Sequence, residues 1–169
     1  MPWYRFQIES HLTAQAVLER VKPLLRERPS YQQLMQEWRN GRPDNAPPFI
    51  GSIEDNVFKC YRAVHYRNSF IPRITGRVIT HPTGTTIDVT MRLHPLAAIF
   101  MSLWMTGVGA ASLIALRGDP EPLSLIPVVM LVAGLAMTFG GFYPEAIKAR
   151  RLLEEQISGR AIKLAKEYT

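Results

Sequence analysis

Apolar and polar positions alternate through most of the first half of the chain. Over residues 3–9, Tyr4, Phe6 and Ile8 share one face and Arg5, Gln7 and Glu9 the other, the period of a half-buried strand. Thr13 is a candidate N-cap. Ala14, Val17, Leu18, Val21, Leu24 and Leu25 then recur at helical spacing, which predicts an amphipathic helix over residues 14–27, kinked or split at Pro23. A second short helix is predicted over residues 31–39, and the breaker-rich stretch 40–48 (NGRPDNAPP) reads as a loop. A β-meander follows, with strands predicted at 49–53, 57–65, 70–80 and 85–93. Its inward sets are Phe58, Cys60 and Val64; Phe70, Ile74 and Val78; and Ile87, Val89, Met91 and Leu93. Clean alternation between turn residues means antiparallel strands with one solvated face, and the helix over 14–27 is the obvious cover for the other.

The pattern then changes. Residues 96–116 and 123–143 contain no charged side chain. Roughly 20 apolar residues at ~1.5 Å each span a bilayer core of about 30 Å, and helices apolar all round are unusual in so small a soluble chain. The overall mean hydropathy of −0.03 hides this division. The expected organisation is an α+β membrane protein in three parts. Residues 1–94 form a cytoplasmic domain with an N-terminal strand and helix plus an antiparallel meander. Residues 95–143 form a two-helix transmembrane hairpin, and residues 144–169 a polar C-terminal cytoplasmic helix with a ragged apolar stripe (Ile147, Leu153, Ile157, Ile162, Leu164) that Gly159 breaks. His94-Pro95 is the only joint between the meander and the first apolar helix, and Pro95 suits a helical first turn. Gly107, Ala111 and Ala115 on one helix, and Ala136 and Gly140 on the other, are the small residues expected to pack the pair together.

Charge orients this arrangement. The net charge of +6 divides into +5 over residues 1–94, −1 over the connector 117–122 (RGDPEP) and +2 over 144–169. Basic residues flank the hairpin on its outer ends, so the positive-inside rule places both termini in the cytoplasm; Arg117 in the connector is a minor dissent. Residues expected at the membrane interface are Arg92, His94, Tyr143, Lys148, Arg150 and Arg151. The N-terminal MPWYRFQIES has no apolar run of the signal-peptide kind, so no cleaved leader is expected. A single cysteine, Cys60, can form no intrachain disulfide. The basic surplus lies beside the apolar helices and no nucleic-acid motif accompanies it, so membrane lipids and a larger membrane protein complex are the expected partners, with no nucleic acid.

The phrases F-I-G-S-I (49–53), F-K-C-Y-R (58–62), Y-R-N-S-F-I-P-R-I-T-G (66–76) and G-T-T-I-D-V-T-M-R-L-H-P (84–95) resemble those of a family of small uncharacterised bacterial proteins with two transmembrane helices. The likeness covers about residues 47–145 and implies the architecture alone. In outline, a strand, a helix and then a meander are also similar to the start of a helix-grip, lipid-carrier-like fold, whose long C-terminal helix would have to be replaced here.

Chemistry is sparse. There is no paired-carboxylate motif, Gly-rich phosphate loop or G-x-S-x-G elbow, and the four histidines lack metal-ligand spacing, so no enzyme, metal or cofactor is expected. Cys60 is read as core rather than nucleophile. Arg62 is the most informative position: its parity places a charge on the apolar face, where it needs a partner. It either grips an anionic ligand in a pocket between sheet and helix or has a structural role, as an ion pair with Glu19 or Glu27 or as a snorkelling side chain near the sheet end, and the structural role is preferred. Tyr66-Arg67-Asn68-Ser69 is a recognition loop or, preferably, a plain turn. Arg73, Arg77, Arg92 and Lys59 share the polar face of the meander and could meet lipid headgroups, an acidic protein or only solvent; with Arg62, Arg73 and Arg77 are the candidate anion-binding residues. His94 could ligate a haem or chlorin, and the preferred reading is a hydrogen-bonded anchor. The expected function is a membrane-anchored, non-enzymatic accessory or interaction subunit, with a membrane-tethered lipid- or hydrophobic-ligand-binding domain as the alternative.

Overall fold

A computed structural model describes residues 1–41, 43, 45–64, 66, 68–82, 84–117, 125–157 and 160–162. The predicted connector beyond Arg117, His65, Arg67, Thr83, Gly159 and Leu164 lie outside them. The elements run β1 (Trp3–Ser10), α1 (Ala14–Val21), β2 (Leu25–Arg26), α2 (Tyr31–Asn40), β3 (Phe49–Glu54), β4 (Val57–Arg62), β5 (Arg73–His81), β6 (Gly84–Arg92), α3 (Pro95–Ala115), α4 (Ile126–Ile157) and β7 (Arg160–Ile162). The fold is α+β: a seven-stranded mixed sheet in the order β2-β3-β4-β5-β6-β1-β7, with six strands before two long apolar helices and β7 after them, where helix was expected and where Arg160–Ile162 instead pairs antiparallel with β1.

The alternating pattern is realised as one buried sheet face. Phe6 and Ile8 of β1, Phe58 and Cys60 of β4, Ile74 and Val78 of β5, and Ile87, Val89 and Met91 of β6 all point into one core. Thr13 caps α1, its Oγ1 accepting from the Ala16 N–H at 3.3 Å. Ser30 and Gln33 form a capping box on α2. The helix expected over 14–27 is shorter than that. A 3-10 turn (Lys22–Leu24) holds Pro23, which has no N–H to continue the α-helical ladder, and Leu25–Arg26 then pairs in parallel with Phe49 and Ile50 of β3. The strands expected at 57–65 and 70–80 are trimmed to Val57–Arg62 and Arg73–His81, leaving a longer connection between them.

The larger correction concerns the C-terminal helix. The expected boundary between the hairpin at 143 and a separate helix from 144 does not exist: α4 runs unbroken from Ile126 to Ile157 with Pro144 inside it, roughly 48 Å at ~1.5 Å per residue. Its second half is a major cover of the sheet. Phe142, Ala146, Ala149, Leu153 and Ile157 are fully buried in the same core as Val17 and Val21 of α1. The sheet is thus covered by a continuation of the second apolar helix.

The first half of α4 lies along α3. The buried positions are Met101 and Ser112 on α3, and Gly134 and Thr138 on α4. Gly134 is the close approach: a Cβ there would stand 3.1 Å from Met105 Cε and 3.3 Å from Trp104 Nε1. The small residues expected to form this seam lie mostly elsewhere. Gly107, Ala111, Ala136 and Gly140 are exposed, Ala115 is half-buried, and a Cβ on Gly107 or Gly140 would touch nothing. The contact follows the positions turned to the partner helix, and at Gly134 the wider side chains of Trp104 and Met105 fill it.

Candidate functional site

The sheet domain and the helix pair meet where β6 feeds α3 and where α4 passes from the pair onto the sheet. Two groups of side chains gather there, one inside the core and one on the open face.

The inner group centres on Glu145, a carboxylate only 2% exposed on α4. Arg62, on the last position of β4, forms an ion pair with it. The Tyr66 hydroxyl donates to its other oxygen at 2.5 Å, and Lys148 lies 3.4 Å away, one turn along the helix. Arg62 therefore does have a carboxylate partner on the apolar face, but the partner is Glu145 rather than Glu19 or Glu27 of the first helix. Burial alone would raise the Glu145 pKa; the hydrogen bond from Tyr66 and the charges of Arg62 and Lys148 outweigh it and hold the carboxyl below the usual range. The Glu145 carboxylate in turn pushes the Tyr66 phenol up.

In the predicted turn, Tyr66 and Asn68 both reach α4. Asn68 Oδ1 accepts from the Phe70 N–H at 2.9 Å, which shapes the bend, and Asn68 Nδ2 donates to the Gly141 carbonyl at 3.0 Å. Gly141 admits this contact, since a Cβ there would stand 2.9 Å from Phe70 and 3.2 Å from Asn68. The segment straps the meander to α4 at the point where the helix leaves its partner.

The outer group is basic. In register across four strands stand Tyr61, Arg73, Arg92 and Trp3, each directly opposite the next. Elsewhere on this face cations stand against carboxylates. Arg5 holds Asp88 with two hydrogen bonds, at 2.9 and 2.5 Å, Lys59 pairs with Glu54 at 2.9 Å, and Arg77 stands opposite Asp88. Arg73 and Arg77 are thus exposed on the opposite side of the sheet from Arg62, and the three do not converge on one ligand.

His94 N-caps α3, its Nδ1 accepting from the Leu96 N–H at 3.2 Å. Tyr143 is exposed, stacked on Phe139 and edge-on to Phe142. Lys148 and Arg151 are exposed on α4. Arg150, expected at a membrane interface, is turned into the domain instead: it donates to the Tyr4 hydroxyl at 2.6 Å, pairs with Glu154 and lies 5.2 Å from the centre of the Phe6 ring. The helical repeat that buries Ala146 and Ala149 carries Arg150 to the sheet edge with them. Cys60 is buried, which pushes its thiol up to about 12 and removes the thiolate that nucleophilic chemistry needs. Among the described residues, no three His, Cys, Asp or Glu side chains gather as metal ligands.

No family model, curated protein or solved structure matches the chain. Function is therefore argued from the geometry.

The sequence singled out Arg62 through its parity, but nothing local marked Glu145 as its partner. A Glu following a Pro at the end of an apolar run reads as an ordinary polar helix start. Its only signal is that the acid stands next to the place where the polar stripe must turn inward.

Proposed function

We propose that this chain is a membrane-anchored, non-enzymatic accessory subunit of a larger membrane protein assembly, as its resemblance to small bacterial proteins with two transmembrane helices also implies. The sheet domain and both termini lie on the cytoplasmic side of the inner membrane. The observation that carries this reading is the helix pair. Each helix is long enough to cross a bilayer, and only 11% and 17% of their most apolar windows are buried. A core helix of a soluble protein would be mostly covered. Here Leu96, Leu103, Ile114, Val129 and Met137 are between 61% and 72% exposed, a surface that water does not tolerate at this extent.

The coupling of the two parts supports a docking role. Unbroken α4, the Arg62–Glu145 pair and the short His94-Pro95 joint tie the sheet to the hairpin, so a partner that grips the helices also sets the orientation of the sheet. The alternative, a hydrophobic ligand enclosed between sheet and helix, is less favoured. That space is filled by Phe6, Phe49, Phe58 and Phe142, all fully buried, and the guanidinium of Arg62 is committed to Glu145. Purification of the full chain in mild detergent, followed by mass measurement, tests the proposal. A stoichiometric membrane partner is expected; a lone monomer would sink it.

A further inference from the structure

On an antiparallel sheet, like charges directly opposite one another repel. Arg73 and Arg92 are such a pair, on neighbouring strands and both exposed. The repulsion is not relieved from within: among the described residues neither arginine has a carboxylate within ion-pairing distance, whereas Asp88 and Glu54 on this face are held by Arg5 and Lys59. The pair is bracketed in register by two aromatics, Tyr61 beside Arg73 and Trp3 beside Arg92. Its level in the fold is set by the chain itself, because Arg92 ends β6 and Pro95 opens the first apolar helix.

The relief around the pair has the matching shape. A cleft of about 660 Å³ opens beside Arg73, with Arg28 and Tyr61 also on its wall, and continues to Leu96, Phe100 and Met101 on the first turns of α3. A smaller depression of about 370 Å³ lies between Arg73 and Arg92, over Thr75, Thr90 and Pro95. Among the described residues, no Asp or Glu lines either one. Cations thus stand at one level and apolar side chains directly below, continuous with the surface of the helix.

We propose that Arg73 and Arg92 bind the phosphate of an anionic phospholipid from the leaflet adjoining the sheet domain, with an acyl chain running down the cleft along Leu96 and Phe100. This rests on the membrane reading of α3 and α4. A guanidinium presents a planar fork to phosphate oxygens, and two forks facing one anion turn their mutual repulsion into shared attraction. The flanking tyrosine and tryptophan suit the headgroup level, where one end of each ring is wet and the other apolar. An acidic protein would be served by the charges, but it has no use for an apolar wall that continues along α3.

The test is native mass spectrometry of the full chain, delipidated in mild detergent and offered equal phosphatidylglycerol and phosphatidylcholine. One retained phosphatidylglycerol is expected, with a preference of about tenfold. The double variant Arg73→Gln/Arg92→Gln should bring the two lipids to parity. Lys22→Gln/Arg39→Gln, which removes the same charge from α2 and the turn before β2, should keep the preference. Parity in the unaltered chain, a preference that survives loss of both arginines, or displacement of the lipid by millimolar inorganic phosphate would each overturn the site; the last would make it a site for free phosphate. A chain that stays monodisperse in buffer without detergent would overturn the membrane reading together with the site. Parity in a chain that does need detergent removes the site alone.

Discussion

At the scale of single residues, the balance between burial and pairing at Glu145 decides most. Taking two charges out of water costs several kcal/mol each, and removing one partner of such a pair typically costs about 3–5 kcal/mol because the other is left buried and unpaired. Arg62→Met should therefore destabilise the protein by about that much in a thermal or denaturant melt in detergent, whereas Arg62→Met/Glu145→Met should recover most of the loss. A double variant no better than the single one would mean that the pair does more than neutralise itself. The pH dependence follows from the direction of the shift. Because the Glu145 carboxyl is held below its unfolded value, its contribution is fully present above the ordinary carboxylate pKa and is lost as pH falls through the lower native one. The melting temperature of the unaltered chain should fall on acidification below about pH 4.3, and that of Glu145→Gln should fall less over the same window. Gly76 is a second decisive residue. It faces Phe58 across β4 and β5, and a Cβ there would stand 2.0 Å from Phe58 Cζ. Gly76→Ala should cost about 3 kcal/mol, the upper end of overpacking penalties, and Phe58→Leu in the same chain should return part of it. The glycine in I-T-G was visible in the sequence; the ring that lies over it was not.

At the scale of elements, α4 is the member that could not be read from its own residues. The sequence divides at Pro144 because an apolar run ends there and a polar one begins, and proline usually closes a helix. The missing proline N–H and the change in polarity are both local facts. Whether the helix continues depends on what lies beneath it, and Phe142, Ala146, Ala149, Leu153 and Ile157 find the uncovered half of the sheet. Burying side chains of this size is worth ~1.5–3 kcal/mol apiece for the large ones, enough to outweigh one lost backbone hydrogen bond. A consequence is that residues 1–93, although they hold every strand from β1 to β6, should not fold alone. Circular dichroism and dispersed amide spectra should show a collapsed or aggregating chain, and joining residues 142–157 through a flexible linker should restore a native sheet. A well-folded 1–93 would show that α1 suffices as cover. The shortening of α1 was half legible: Pro23 announced the interruption, but the pairing of Leu25 and Arg26 with β3 required the neighbouring strand to be in place.

For the whole molecule, the prediction concerns orientation across the membrane. Cys60 is buried, which pushes its thiol up, so the unaltered chain should not label with maleimides at neutral pH. That makes single added cysteines clean reporters of sidedness. With an impermeant maleimide on intact cells, Arg117→Cys in the connector should label and Glu155→Cys on α4 should label only after lysis. The reverse pattern would invert the orientation that the flanking basic residues imply.

The hydrophobic pattern by itself determined the strand over residues 3–9, the four strands of the meander, the first helix start at Thr13 and the two apolar spans, because each is set by a period of two, a local cap or an unbroken run and needs only neighbouring residues to be legible; β2 and β7, both expected as helix, were not legible in this way. Tertiary structure decided the rest. It chose Glu145 for Arg62, brought Asn68 to Gly141, turned Arg150 inward and set Arg73 against Arg92, all contacts between residues far apart in the chain or on different strands. Their partners are fixed by sheet register and by the rotation of α4, which only packing of the whole core selects.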